Sequence, residues 1–164
     1  MVNRESLEKG FNARRNDLLV ISILSLVNVL LAVLIGSEES IAFSALLPLM
    51  MVSTGNFLTK EFNDELYTVG FAVIAVLMIA FYFLCWILSK KTRGMILGAL
   101  IMFSLDTAML LFAIATDMLE QGFHFYISLT GLFHIWALSS LISGTSAWAK
   151  LKPSTKSGGK YAKS

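Results

Sequence analysis

Two ionisable side chains interrupt long apolar stretches of this sequence, and together they could bind or transfer a proton. Asp106 lies at the midpoint of the apolar run Met95–Thr116, and His134 lies within the run Phe123–Ala149. A carboxylate inside an apolar helix costs about 2.5–3.5 kcal/mol on insertion scales, so it should face the bundle interior, be partly protonated or have a partner. Imidazole is the natural partner because it changes charge near neutral pH.

Asn28 lies at a similar depth in a third apolar run, Leu18–Ile35. Since a helix rises about 1.5 Å per residue, Asp106, His134 and Asn28 all fall near the middle of their runs. We therefore predict one buried polar cluster, and the sequence leaves two roles open for it. It could be a proton-responsive or substrate-binding site with Asn28 as polar support. It could instead be helix packing through hydrogen bonds worth about 0.6 kcal/mol each.

Other patterns that could do chemistry are weak. His124 and His134 are not spaced to share a helix face, and no cluster of metal-ligating residues accompanies them. Cys85 is the only cysteine, which excludes an intrachain disulfide and a cysteine metal cage. Phosphate-binding loops and nucleophile motifs do not occur. We therefore predict no catalytic residue, no metal and no cofactor, and the balance is against an enzyme.

The segments that must position these residues are too apolar for a soluble domain. Of 164 residues, 56% are hydrophobic and 15% are charged, whereas soluble domains have about 25% charged residues. Spanning helices need roughly 20 apolar residues. Four runs approach or exceed that length: Leu18–Ile35, Leu66–Leu88, Met95–Thr116 and Phe123–Ala149. A fifth run, Ile41–Val52, is shorter and contains Pro48, which predicts a re-entrant or interfacial segment.

The distribution of basic residues favours four spans over five. Lys and Arg concentrate in cytoplasmic loops. With four spans, 12 of the 13 basic residues lie on one side and only Lys60 lies on the other. Both termini are then cytoplasmic. The predicted fold is an all-α, up-down four-helix membrane bundle. A short re-entrant or interfacial helix lies in the first outer connection, Gly36–Glu65, and is expected to fold onto the outer end of the bundle.

Both ends of the chain are predicted to lie at the cytoplasmic membrane surface. Residues 1–16 predict an amphipathic segment that either lies on the headgroups or is solvated, and residues 17–149 form the membrane domain. Residues 150–164 predict a basic, disordered tail. Basic residues next to the apolar runs are expected to contact anionic lipid headgroups rather than nucleic acid. These residues are Arg14, Arg15, Lys90, Lys91 and Arg93.

Three short segments carry a resemblance to other proteins: Phe11–Asn16, Phe43–Pro48 and Phe103–Thr107. With these segments the chain resembles an uncharacterised family of small bacterial polytopic membrane proteins. The resemblance covers most of residues 11–149. It implies a multi-pass protein of the bacterial plasma membrane, and it brings no known reaction.

The sequence favours a protein that acts together with a partner. Four helices bury few side chains by themselves, and no catalytic constellation is complete. We therefore expect an accessory or regulatory subunit with a membrane-protein partner, or a homo-oligomer. The alternative is a small proton-linked transporter or permease that uses Asp106 and His134, and an intramembrane enzyme comes third.

Overall fold

The computed structural model describes the backbone of residues 3–34, 44–120 and 125–151, and the side chains of residues 3–34, 44–115 and 129–151. These ranges contain five α-helices and no strand: α1 Arg4–Leu34, α2 Leu46–Phe62, α3 Leu66–Leu88, α4 Met95–Glu120 and α5 Phe125–Leu151. The predicted all-α class is confirmed. Our predictions for residues 35–43 of the outer connection, for His124 and for residues 152–164 of the tail lie outside the described residues.

Three of the helices are long and apolar enough to cross a membrane: α1, α3 and the segment Met95–Ala115 of α4. At about 1.5 Å per residue, each exceeds the roughly 30 Å thickness of a hydrocarbon core. Their exposed side chains include Ile23, Leu77 and Leu105, each at least 46% accessible. Apolar side chains facing outward along three such helices indicate a membrane protein.

Helix α1 continues unbroken from Arg4 to Leu34, a length of 31 residues. The sequence predicted residues 1–16 as a separate amphipathic segment, but the described part of it is continuous with the apolar run. No proline interrupts the helix. Phe11 is buried in the core, and its ring lies beneath the Arg93 guanidinium at 5.8 Å. The first turns of α1 therefore pack on the rest of the bundle.

Helix α2 extends to Phe62, well past the predicted apolar segment 41–52. The reason is a close helix contact at Gly55. A Cβ atom there would lie 2.8 Å from the Cβ of Phe71 and 3.1 Å from the Tyr67 carbonyl oxygen, so α2 and α3 approach too closely for a side chain. Gly55 and Asn56, which follow the predicted segment, therefore lie on the contact surface of a longer helix.

Polar side chains join α2 to α3 near the turn between them. The Thr68 hydroxyl donates to Asn56 Oδ1 at 3.1 Å and lies 2.8 Å from the hydroxyl of Thr59. Asn63 ends α2 in the left-handed conformation, with φ of 52°, which asparagine adopts more readily than most residues. The two helices thus form an antiparallel hairpin that is fastened at its turn.

Two groups of buried side chains hold the helices together. The larger group joins α1, α3, α4 and α5 and includes Phe11, Leu18, Ile21, Tyr82, Cys85, Ile96, Phe103, Phe133 and Leu141. The smaller group lies where α2 packs on α1 and α3, and it comprises Val29, Ala32, Val52, Ala75 and Ile79. Helix α2 is therefore part of the packed bundle.

Candidate functional site

Asp106 of α4 and His134 of α5 form a direct contact in the middle of the bundle. The distance from Asp106 Oδ2 to His134 Nε2 is 2.8 Å, and the two side chains are 0% and 1% exposed. The imidazole stacks on Phe103, with ring centroids 5.0 Å apart, and meets the edge of Phe133. The two ionisable residues that the sequence singled out are therefore brought together and shielded from solvent.

The same carboxylate binds the amino-terminus of α2. Leu46 N–H donates to Asp106 Oδ2 at 2.9 Å, and Leu47 N–H donates to Oδ1 at 2.5 Å. The first N–H groups of any helix have no acceptor within that helix, and they carry its positive dipole end. Asp106 supplies an acceptor from another helix, and its negative charge faces that positive end.

Every one of the four amino-terminal positions of α2 is satisfied. Besides Leu46 and Leu47, Ala45 N–H donates to the Ser25 hydroxyl of α1 at 3.0 Å. The fourth position is Pro48, which has no N–H and therefore needs no acceptor. A helix can begin in a buried position only if such donors are paired or removed. In α2, tertiary contacts pair three of these N–H groups, and the proline at position 48 removes the fourth.

Asn28 of α1 reaches the site through Ser44, the residue just before the helix cap. The Asn28 Nδ2 donates to Ser44 Oγ at 2.5 Å, and both side chains are buried. Asn28 thus holds the segment that enters α2, while Asp106 holds the first amides of the helix. Our sequence prediction expected α2 on the outer end of the bundle. Its amino-terminus instead lies at the depth of Asn28, Asp106 and His134.

Hydrogen-bond geometry fixes the proton count of the Asp106–His134 pair. His134 Nδ1 lies 2.9 Å from the Thr130 carbonyl oxygen, which can only accept, so Nδ1 carries a hydrogen. The contact between Nε2 and Oδ2 then needs one further proton. The pair as a whole therefore carries two protons, one on Nδ1 and one between Nε2 and Oδ2.

The predicted headgroup contacts lie near the turn between α3 and α4 and on the facing turns of α1. Lys90 and Lys91 are exposed in the turn itself. Arg93 Nη2 lies 3.4 Å from Glu8 Oε1, and Arg14 Nη1 lies 3.2 Å from Asp17 Oδ2. Arg14 and Arg93 therefore have protein carboxylates as partners.

Sequence reasoning found the ionisable pair but missed the groups that it binds. The missed groups are the amides of Leu46 and Leu47, the hydroxyls of Ser25 and Ser44, and the Thr130 carbonyl. Pro48 was an available signal, because proline favours the first turn of a helix. From the sequence alone, Pro48 indicates only a re-entrant or interfacial segment. Backbone amides leave no signal of their own in side-chain spacing.

Within the described residues, no group of three or more His, Cys, Asp or Glu side chains could hold a metal ion. Comparisons with protein-family models, with curated protein sequences and with solved structures found no match.

Proposed function

We propose that this chain is a multi-pass protein of the bacterial plasma membrane, with α1, α3, α4 and α5 as its four spans and both termini in the cytoplasm. Helix α5 has 27 residues and exposes Leu132, Ile135 and Ile142, each at least 55% accessible. Lipid is the solvent that such a surface prefers. The 12-to-1 distribution of basic residues supports this orientation.

In this arrangement α2 is a re-entrant helix that begins inside the membrane. Irregular backbone at membrane depth is tolerated only where protein or a water-filled cavity surrounds it. Ser44 and Ala45, the described residues just before α2, meet this requirement, because Ser25, Asn28 and Asp106 provide polar partners for Ser44 and for the first amides of the helix. With 17 residues, α2 is about 25 Å long.

The function that the geometry supports best is that of an accessory or regulatory subunit, or of a homo-oligomer. One observation carries this proposal. Each of the four polar atoms of the Asp106–His134 pair already bonds to this chain. The most conspicuous polar site in the bundle therefore holds α2 in place and offers no free charged atom to a substrate.

The experiment is purification of the full chain in mild detergent, with the mass of the complex measured by native mass spectrometry. We expect a defined complex, containing either a second copy or one other membrane protein, that survives dilution and reforms from purified components. In Asp106→Asn the yield of folded protein should fall, while the composition of the remaining complex stays the same. A stable, folded monomer that forms no complex at any concentration contradicts the proposal.

A small proton-linked transporter is the second candidate, and the proton count of the pair favours it. Loss of the proton between Nε2 and Oδ2 would leave an imidazole lone pair facing the carboxylate that binds α2. The protonation of the pair would thereby be linked to the position of α2 in the bundle. Tyr82 and Cys85 of α3 are also buried and titratable, and both belong to the larger core group.

Transport is tested with the purified chain in liposomes that contain a pH-sensitive dye, under an imposed pH gradient. The transporter hypothesis expects solute-dependent proton flux that disappears in Asp106→Asn. Asp17→Asn is the control, because this carboxylate lies on α1 outside the site and bonds Arg14 and Ser140. Flux equal to that of empty liposomes across a broad panel of solutes rejects transport and leaves the subunit proposal standing.

A further inference from the structure

The four arginines of the chain differ in whether they have an acidic partner. Arg4 and Arg93 both lie within 3.6 Å of Glu8, and Arg14 lies 3.2 Å from Asp17. Arg15 makes no ion pair with the acidic side chains of residues 3–34, 44–115 and 129–151. Its charge is therefore not neutralised by the described part of the protein.

Arg15 instead lies over the indole of Trp86, near the carboxyl end of α3. Its guanidinium carbon is 5.9 Å from the ring centroid, a distance typical of a cation–π contact. Arg15 Nε and Trp86 Nε1 are both buried and have no hydrogen-bond partner in the described residues. Two neighbouring N–H donors thus lack an acceptor, which is rare among buried polar groups.

The missing acceptor should be anionic, and it lies outside the described part of the protein. Nearby carboxylates are occupied, since Asp17 accepts from Arg14 and from the Ser140 hydroxyl, and Glu8 bonds Arg93. The exposed Lys90 and Lys91 follow Trp86 by a few residues and make the surroundings more positive. A phosphate group fits best, because its several oxygens can accept from a guanidinium and an indole together.

We propose that Arg15 and Trp86 form a binding site for the phosphate group of an anionic phospholipid, at the end of the bundle that carries the α3–α4 turn. The assignment rests on the proposed membrane location. It goes beyond general headgroup contact because it selects Arg15 among the basic residues and adds Trp86 as a second donor. Both residues are only half-buried, so a rotation of the Arg15 side chain lets a headgroup oxygen reach the two N–H groups.

The test measures binding to the full chain in detergent micelles by native mass spectrometry and by the shift in melting temperature. Three additives separate the sources: dioleoylphosphatidylglycerol, dioleoylglycerol with the same acyl chains but no phosphate, and sodium phosphate. We expect binding and stabilisation with phosphatidylglycerol alone. Equal stabilisation by dioleoylglycerol overturns the proposal, and stabilisation by sodium phosphate assigns the site to free phosphate and overturns the lipid assignment.

Variants then localise the site. Arg15→Gln should weaken phosphatidylglycerol binding about tenfold, the effect of losing one charge-assisted hydrogen bond. Trp86→Phe keeps an aromatic ring for the cation but loses the N–H, and should weaken binding several-fold. Arg14→Gln is the matched control: it removes one positive charge at the neighbouring position. Arg14 already pairs with Asp17, so this variant should change binding less than twofold. Equal losses in Arg14→Gln and Arg15→Gln mean diffuse electrostatic attraction and overturn the proposal.

One further variant keeps the test decisive if Arg15→Gln fails to fold. Arg15→Lys retains the charge but loses the Nε–H and the planar fork, so it should bind several-fold more weakly than the unchanged chain. Unchanged affinity in Arg15→Lys contradicts the two-donor site. Lipid binding is measured on the isolated chain, so its loss is independent of complex formation. Failure of the chain to fractionate with membranes would instead refute the proposed location.

Discussion

The buried start of α2 and the Arg15–Trp86 contact use polar groups in opposite ways. At the start of α2, every donor has an acceptor from α1 or α4, including the backbone amides of Leu46 and Leu47. At the Arg15–Trp86 contact, two buried donors have none in the described residues. At the first site all donors are paired within the chain, so the site stabilises the fold. The second lacks an acceptor, so it is the better place to expect an external group.

The carboxylates of Asp106 and Asp17 differ in the same way, in how far they are shielded from solvent. Both accept a hydrogen bond from α5, Asp106 from His134 and Asp17 from Ser140. Asp106 is fully buried, whereas the Asp17 side chain is 24% exposed and also bonds an arginine. Water can replace part of what Asp17 loses on mutation. It cannot do so for the partners of Asp106, and the following variants test that difference in order of expected effect.

Asp106→Ala should have the largest effect on stability. It leaves the amides of Leu46 and Leu47 without acceptors and removes the partner of His134 Nε2. Breaking a buried pair in this way costs about 3–5 kcal/mol. The measurement is the free energy of unfolding in micelles by denaturant titration. Asp17→Ala is the control and should cost about 0.5–1.5 kcal/mol, the usual net contribution of a hydrogen bond. Equal losses would mean that the α2 contact adds nothing.

A double-mutant cycle of Asp106→Asn and His134→Gln should give the next largest effect. Because the two side chains are in direct contact, their free energies of unfolding should be coupled by about 1–3 kcal/mol. The single variants and the double variant are compared by the same titration. Additivity to within about 0.5 kcal/mol would show that Asp106 acts through the α2 amides alone.

Ser25→Ala should have an intermediate effect, since it removes the acceptor of the Ala45 N–H. An unsatisfied buried donor costs about 1–3 kcal/mol. Hydrogen exchange at Ala45 should also become faster. The matched control is Ser104→Ala, because that hydroxyl is exposed and bonds the Leu100 carbonyl of its own helix. Its effect should stay within about 0.5 kcal/mol. If the two serine variants are equally stable, the Ser25 bond does not anchor α2.

Glu8→Gln should have the smallest effect. Glu8 pairs with Arg4 and Arg93 at partly exposed positions, where ion pairs contribute about 0.2–1 kcal/mol. That contribution should shrink at high salt, whereas the loss caused by Asp106→Ala should not, because salt screens exposed charges far more than buried ones. Unfolding measured at low and high ionic strength checks both. A loss of stability in Glu8→Gln that does not depend on salt would show that the ion pairs of Glu8 are better shielded from solvent than their exposure indicates.

The sequence was sufficient to predict the helices and the central pair for identifiable reasons. Charged residues are rare in long apolar runs, so Asp106 and His134 stood out and their equal depths implied contact. The start of α3 at Leu66 and the start of α4 at Met95 follow from the limits of apolar runs. These features depend on side-chain chemistry and on spacing along one helix, both of which the sequence contains.

The parts that could not be predicted depend on contacts between distant segments. The extension of α2 to Phe62 depends on a close approach at Gly55, and glycine in a polar stretch is equally typical of a loop. The role of Asp106 as a cap for α2 involves amides about 60 positions earlier in the chain. The burial of Phe11 beneath Arg93 likewise joins segments that no local pattern connects.

The separation between Leu46 and Asp106 along the chain has a consequence for biosynthesis. Helix α2 leaves the ribosome before α4 and α5, so its first amides have no carboxylate to bind until residue 106 has been made and inserted. The hairpin of α2 and α3 can form early through the contacts at Gly55 and Thr68. The first amides of α2, however, remain without the Asp106 carboxylate until α4 has been made. A chain that ends before α4 therefore lacks the carboxylate that binds the first amides of α2.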